Sequence, residues 1–473
     1  MATSDNEDRR LRENEQEQDE EQVFSYDRND PPVRRVIGIV ALIVLGESLA
    51  ATILFPFIVF MVRSFPHIEE DRVGWYCGLI TSSYFIPQMF LAPVYGLISD
   101  RIGRKPILIF GLLGASICTF RFGMAQSLTA AMISRACVGF FNGTAPVSRS
   151  CLGEFSNQVG LNKAKAMGVF GFCFSLGSII GPLIGGYLSK PDFRGPAGAF
   201  AEYPYLLPCA VLTVYNWFTA VVTFLCLPET NIHRRPLRKD QVTKPPEEQP
   251  LLPSSENSRR QAHMSAVFLI IMGQGILALH AVVFDEMYPV IAASAPPIGY
   301  GFTAKQIARS LLVLGPFAIF TQLVCYPWLS KRVSYVSSWR ISSVLFLFIY
   351  GIFPLLPGPE SAPAWLEWMC LLFALAIRIA GLVIGYTSIA VLVIDIVPPQ
   401  QVGMYVGFSQ TAMSAGRAIG PALGGMAWSW GLRNNLPAPW DEHCLYLLQM
   451  FLACLQFLTS FGLKAARDSM MPK

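Results

Sequence analysis

The sequence predicts an all-α membrane protein with about 12 transmembrane helices in two similar six-helix halves. Three observations predict it. First, 53% of the 473 residues are hydrophobic and only 14% are charged, against about 25% charged in soluble domains. The apolar residues fall in blocks of about 20, the length that crosses a bilayer. Second, one motif occurs twice. Ser175-Leu-Gly177-Ser-Ile-Ile-Gly181-Pro182-Leu-Ile-Gly185-Gly186 returns as Ser414-Ala-Gly416-Arg417-Ala-Ile-Gly420-Pro421-Ala-Leu-Gly424-Gly425. Such Gly and Pro content breaks a helix in water. In a bilayer, small residues let helices approach closely, and neighbours satisfy the freed backbone groups. Third, Lys and Arg segregate to alternate loops, which sets orientation.

Taken in order, residues 1–33 form a polar, largely acidic tail, expected to be disordered and cytoplasmic. It has no apolar core, so the first apolar run is expected to be a retained span. The first half covers 34–227, with spans near 36–62 and 75–98, a third that follows the basic turn and ends near 124, and others near 128–150, 166–188 and 205–227. A Pro- and Arg-rich cytoplasmic linker is expected over 228–262. The second half covers 263–463, with spans near 264–292, 304–328, 339–356, 365–394, 402–428 and 443–463; a cytoplasmic tail follows over 464–473. Arg101, Arg104, Lys105, Lys163, Lys165, the linker cluster, Lys331, Arg332, Lys464 and Arg467 would lie inside. The outer loops would hold few basic residues: Arg63, Arg72, Lys190, Arg194, Lys305 and Arg433. Both termini are then cytoplasmic, as an even number of spans requires.

Ionisable residues inside the spans are the candidate chemistry. A charge at mid-helix in a bilayer costs at least about 2.5–3.5 kcal/mol, so such residues face protein or water. Glu47 lies near the middle of the first span and reads as a proton carrier or as a structural hydrogen-bonding group. Arg135, followed by Gly139 and Gly143, and Arg378, followed by Gly381 and Gly385, hold matching places one span before each Gly-Pro motif. They read as gating or charge-pairing groups, or as carbonyl-satisfied packing residues. Asp285 and Glu286 are further proton-coupling candidates nearer the outer end of their span, where one of them could simply be solvated. His280 reads as a proton relay or as a hydrogen-bonded packing residue. Gly177, Gly181 and Gly185 recur every four residues and share one helix face. With Pro182 and Gly186 they form a helix-packing motif, repeated by Gly416, Gly420, Pro421, Gly424 and Gly425. That face is expected to pack against the other half and to seal the space between the halves.

The turn after the second span, Gly96-Leu-Ile-Ser-Asp100-Arg101-Ile-Gly103-Arg104-Lys105, resembles the signature of the major facilitator superfamily. Leu45-Gly46-Glu47, Arg135 with Gly139 and Gly143, and the Gly-Pro motif resemble drug:proton antiporters of that superfamily. Glu202-Tyr-Pro-Tyr-Leu-Leu-Pro-Cys209 and His280-Ala-Val-Val-Phe-Asp285-Glu286-Met-Tyr-Pro289 are similar to a fungal branch related to tetracycline-resistance and zinc-induced-facilitator-like transporters. Ser48 stands where that branch is expected to carry Pro. The resemblance implies the major facilitator fold, with spans one, four, seven and ten lining a central cavity. It implies charge pairing by Asp100, Arg101 and Arg104, and export of small organic molecules against inward proton flow.

The expected partners are a small organic substrate, protons and the lipid bilayer, with the protein a monomer in the plasma membrane or, alternatively, the vacuolar membrane. Uptake of a nutrient or metal chelate, and a non-transporting receptor or scaffold, are the rival readings. The 11 Cys form no CxxC pair, and no His lies at ligand spacing. No nucleophile or nucleotide motif appears, so no enzyme activity, cofactor, metal or nucleic acid is expected.

Overall fold

The computed structural model describes residues 31–142, 147–148, 151, 163–189, 202–229, 255–356, 363–396, 402–434 and 436–470. The tail over 1–30 and most of the expected linker lie outside them. The first half contains α1 (Pro31–Thr52), α2 (Ile58–Arg63), α3 (Val73–Ile102), α4 (Arg104–Gly123), α5 (Leu128–Phe141), α6 (Lys163–Leu188) and α7 (Leu206–Cys226). The second contains α8 (Ser255–Ala293), α9 (Ala304–Phe320), α10 (Tyr326–Ser330), α11 (Tyr335–Ile352), α12 (Ala364–Ile396), α13 (Val402–Arg433) and α14 (Cys444–Met470). No strand occurs among the described residues, and eight helices there are long and apolar enough to cross a membrane.

Two expected spans are interrupted. The first is helical to Thr52, turns, and resumes at Ile58. Pro56 explains the break: it lacks an N–H, and its ring crowds the carbonyl of Thr52 four residues back. The eighth passes from α9 through a π-helical turn, Thr321–Cys325, into α10. Pro327 supplies no N–H to the carbonyl of Leu323, which loosens the register there. Polar residues start several helices. Ser127 caps α5, Ser334 caps α11, and Thr303 with Gln306 forms a capping box on α9. Helix α8 begins at Ser255, inside the stretch assigned to the linker, and α14 runs on to Met470, into the expected tail.

The halves are built alike. Helix α6 packs on α1, and α13 packs on α8. Across the halves, α3 meets α13 and α6 meets α9.

This arrangement corrects the expected partner of the glycine motif. A side chain at Gly177 would meet Ser48 and the carbonyl of Leu45; one at Gly181 would meet Thr52; one at Gly185 would meet the carbonyl of Ile53. All of these belong to the first span of the same half. The second copy repeats the pattern: Gly416 faces the Gly275 carbonyl, Gly420 the Leu279 carbonyl, and Gly424 Val283 and Met287, all on α8. The four-residue glycine face therefore seats each half on its own leading helix. Ser48 adds a hydroxyl contact to Ser178 at 3.0 Å, and Thr52 donates to the Gly177 carbonyl at 3.3 Å. Only the last glycine of each copy crosses between halves. Gly186 faces Ala304 and Ala308 on α9, and Gly425 faces Gly74 and Trp75 on α3.

The described bonds between the halves lie toward the end where α3 begins and α13 finishes. There the Trp75 N–H donates to Ser429 Oγ at 3.1 Å, and the Ala422 N–H donates to Ser82 Oγ at 3.1 Å. The Pro421 carbonyl lies against Gly78, leaving no space for a side chain. Arg433 pairs with Asp71 at 2.9 Å, and Arg309 donates to the Tyr187 hydroxyl at 3.0 Å. At the opposite end of α3, a methyl group added at Gly96 would meet no described atom within 4 Å.

Candidate functional site

Arg135 and Arg378 occupy matching places. Each is only 3% exposed. Arg135 Nη1 donates to the Ala50 carbonyl on α1 at 3.3 Å, and its guanidinium lies 4.4 Å from the Tyr84 ring centre. Arg378 Nη2 donates to the Ala281 carbonyl on α8 at 2.9 Å and lies 4.2 Å from the Phe284 ring. Each arginine thus ties the fourth or tenth span to the leading helix of its own half, with an aromatic ring shielding its face. Nε of both, and Nη2 of Arg135, have no hydrogen-bond partner among the described residues.

The carboxylates break this symmetry. Glu47 is buried on α1, one turn before Ala50, within electrostatic range of Tyr84. Asp285 lies one turn after Ala281 on α8 and pairs with Arg378 at 2.7 Å; its side chain is 38% exposed. Glu286, 1% exposed, accepts from Thr81 Oγ1 on α3 at 2.8 Å. Asp285 is therefore bound within its half, whereas Glu286 reaches across. Arg417, from the second glycine motif, bonds to Tyr386 and lies within electrostatic range of both Asp285 and Tyr84. Three carboxylates and three guanidiniums thus share the interface between the halves.

His280 adjoins the Arg378–Asp285 pair through Tyr350, which bonds to Arg378. It is fully buried, with Nδ1 2.8 Å from the Tyr350 hydroxyl and Nε2 2.6 Å from Gln456 Oε1. Its ring packs edge-on to Phe346 at 4.6 Å. Both nitrogens are occupied, between α8, α11 and α14. Asn142, which opens an apparent glycosylation acceptor, is buried and donates to the Tyr84 hydroxyl.

The basic turn is organised within its half. Gly103 has φ 115°, a conformation that favours glycine, and a side chain there would strike Glu229. Glu229 follows α7 and accepts the backbone N–H groups of Arg104 at 2.8 Å and Lys105 at 3.2 Å. It thereby satisfies open donors at the start of α4 and meets the positive end of that helix. The Arg104 side chain is 6% exposed and donates to Ser99 Oγ; Arg101 is exposed. The Asp100 side chain lies outside the described residues. Replacing Glu229 by Ala should cost about 1 kcal/mol, the usual value of a cap, read as a lower melting temperature in detergent.

Sequence reasoning singled out both arginines and all three carboxylates, but missed Thr81, Tyr84 and Glu229. Thr81 and Tyr84 carry no sequence signal, because Thr and Tyr are ordinary in apolar helices. Glu229 did: it is the first acid after a long apolar run, directly following Pro228.

Comparisons with known proteins agree with this architecture. The family model for the Major Facilitator Superfamily matches residues 40–431. A major facilitator superfamily multidrug transporter of Aspergillus fumigatus is 28% identical, over 85% of this chain and 80% of that protein. The zinc-induced facilitator-like 1 protein of Arabidopsis thaliana is 27% identical, over 88% of this chain and 89% of its own length. Among solved structures, a bacterial homologue of the human lysosomal transporter Spinster, in an inward-facing and unoccupied conformation, superposes with TM-score 0.67. It shares 15% identity and covers 93% of this chain and 98% of its own, a likeness of fold. With its repeated Gly-Pro helices, its paired buried arginines and this family match over most of its length, the chain belongs to the Major Facilitator Superfamily.

Proposed function

We propose that the protein is a proton-coupled exporter of small amphipathic organic molecules that works by alternating access. The observation that carries this reading is the set of buried carboxylates and arginines at the interface of two similar halves. Ionisable groups are retained at such a depth where protons or substrates pass. The direction follows from the repeated Gly-Pro motif and from relatives named as a multidrug transporter and an efflux pump. The seam between α3 and α13 is closed at the end where Lys and Arg are sparse. With the basic loops inside, that closed end is the outer one, which suits a state that receives substrate from the cytoplasm. Substrate would enter from that side between the halves, next to Glu47 and Arg135, and leave once the seam parts. The site lies in one chain, so a monomer suffices, in the plasma membrane.

Reconstituted vesicles test this reading. An outward-directed flux of an amphipathic dye should require a proton gradient of the opposite direction. Glu47→Gln should fold, bind dye and lose gradient-driven flux. Wild-type flux in that variant would remove Glu47 from coupling and leave the carboxylates of α8.

A further inference from the structure

Asp285 and Glu286 are neighbours in sequence with opposite attachments. Asp285 is paired with Arg378 inside the second half, at 2.7 Å, so movement of the halves leaves that bond intact. The described hydrogen bond of Glu286 runs to Thr81 of the other half, 205 residues earlier. The surrounding seam is tight. Cys77, one turn along α3, is 0% exposed; Gly78 abuts the Pro421 carbonyl; Ser82 accepts from the Ala422 N–H at 3.1 Å. The groups facing Glu286 are Thr81 and Cys77 on α3, Arg135 on α5, and Asp285 on its own helix. Arg135 is itself held at the Ala50 carbonyl and over Tyr84, so it acts on Glu286 through space.

We propose that Glu286 is the proton-sensing contact of this seam and that Thr81 is its positioning residue. The inference rests on the proton-coupled reading above and assigns the proton response of the seam to one contact. When the seam is open, Glu286 faces water on that side. Its carboxylate there binds a proton, and the neutral acid enters the seam with one hydrogen bond to Thr81. A carboxylate must shed its water to enter, at a higher free energy. Protonation from that side therefore favours closing. Once the seam is closed, substrate entering from the other side displaces the proton toward the half-exposed Asp285 side, and the carboxylate that remains favours reopening with the substrate aboard. One proton is taken up on one face and released on the other per cycle, in the direction that export requires.

Cys77 provides a native reporter, because it is shielded only while the seam is closed. Purified protein in detergent, without substrate, is labelled with a maleimide at pH 5.5 and pH 8, and the Cys77→Ser rate is subtracted. Loss of the Glu286 charge by itself makes the neighbouring Cys77 thiol more reactive, so slower labelling of Glu286→Gln than of wild type at one pH reports shielding and not thiol chemistry. At pH 8 wild type should label about tenfold faster than Glu286→Gln, the size of shift expected when one contact biases a two-state equilibrium. At pH 5.5 the two rates should converge. Thr81→Val should label faster than wild type at both values while keeping the pH dependence. Equal rates for Glu286→Gln and wild type at pH 8 would overturn the proposal. If Glu286→Gln does not fold, Thr81→Val decides, and wild-type rates in that variant would overturn it equally. Export is judged separately: solute and protons moving the same way in vesicles would end the export reading and leave the labelling result untouched.

Discussion

Gly185→Leu should abolish folding, whereas Gly425→Leu should leave a folded protein that cannot close its seam. The two glycines sit one residue apart in the repeated motif but face different partners. A side chain at Gly185 meets the Ile53 carbonyl, with the Phe57 ring behind it. Backbone cannot step aside as a flexible side chain can, and Leu adds further atoms. Overpacking of this kind costs about 1–3 kcal/mol and sometimes more. Here it would part α6 from α1, the contact on which the first half is seated. The expected outcome is loss of the monodisperse peak on gel filtration. Gly425, by contrast, faces Gly74 and Trp75 of the other half. Leu there wedges α13 from α3. The variant should remain monodisperse, and Cys77 should label quickly at every pH. Gly38, with nothing within 4 Å of an added methyl group, is the control, and Gly38→Ala should match wild type.

Asp285→Leu should be the second severe change. It leaves Arg378, 3% exposed, with a buried charge held by the neutral Ala281 carbonyl and Tyr350 hydroxyl. Breaking a buried pair from one side typically costs about 3–5 kcal/mol, because the remaining charge is uncompensated. The partial exposure of Asp285 places the expected loss near the lower end of that range, about 3 kcal/mol. Asp285→Leu combined with Arg378→Met removes both charges and should recover most of the stability, since an apolar pair of similar volume replaces the ions. Thermal unfolding of the two single variants and the double variant measures the coupling. Transport should not recover with stability if the charges serve coupling.

The fold was largely legible, and the reasons are local. A block of about 20 apolar residues admits a single solution in a bilayer. Turn signals such as Asp100-Arg101-Ile-Gly103-Arg104 mark where a helix must end. The internal repeat then fixed two similar halves. What the sequence could not show was which helix each face meets. Gly177, Gly181 and Gly185 announce a close contact, but glycine carries no mark of its partner. The face expected to seal the two halves together seats α6 on α1 instead. The same limit applies to the site. Glu47, Arg135, Asp285, Glu286 and Arg378 stand out because charge is costly in hydrocarbon. His280 stood out for the same reason, yet the structure encloses it between Tyr350 and Gln456. Asp285 and Glu286 are adjacent in the chain and indistinguishable by composition. Only their places on α8 show that one is bound within its half and the other across it.

The most direct test of proton-coupled export is the direction of proton movement when substrate is added. Purified protein is reconstituted into vesicles that enclose a pH-sensitive dye, with no imposed gradient. A panel of amphipathic organic compounds is then added outside. An exchanger predicts that an active compound entering the vesicles drives protons out, so the interior turns alkaline, and that Glu47→Gln or Glu286→Gln suppresses the signal. Acidification of the interior by the same compound would mean that solute and protons move together, and that result would contradict the account.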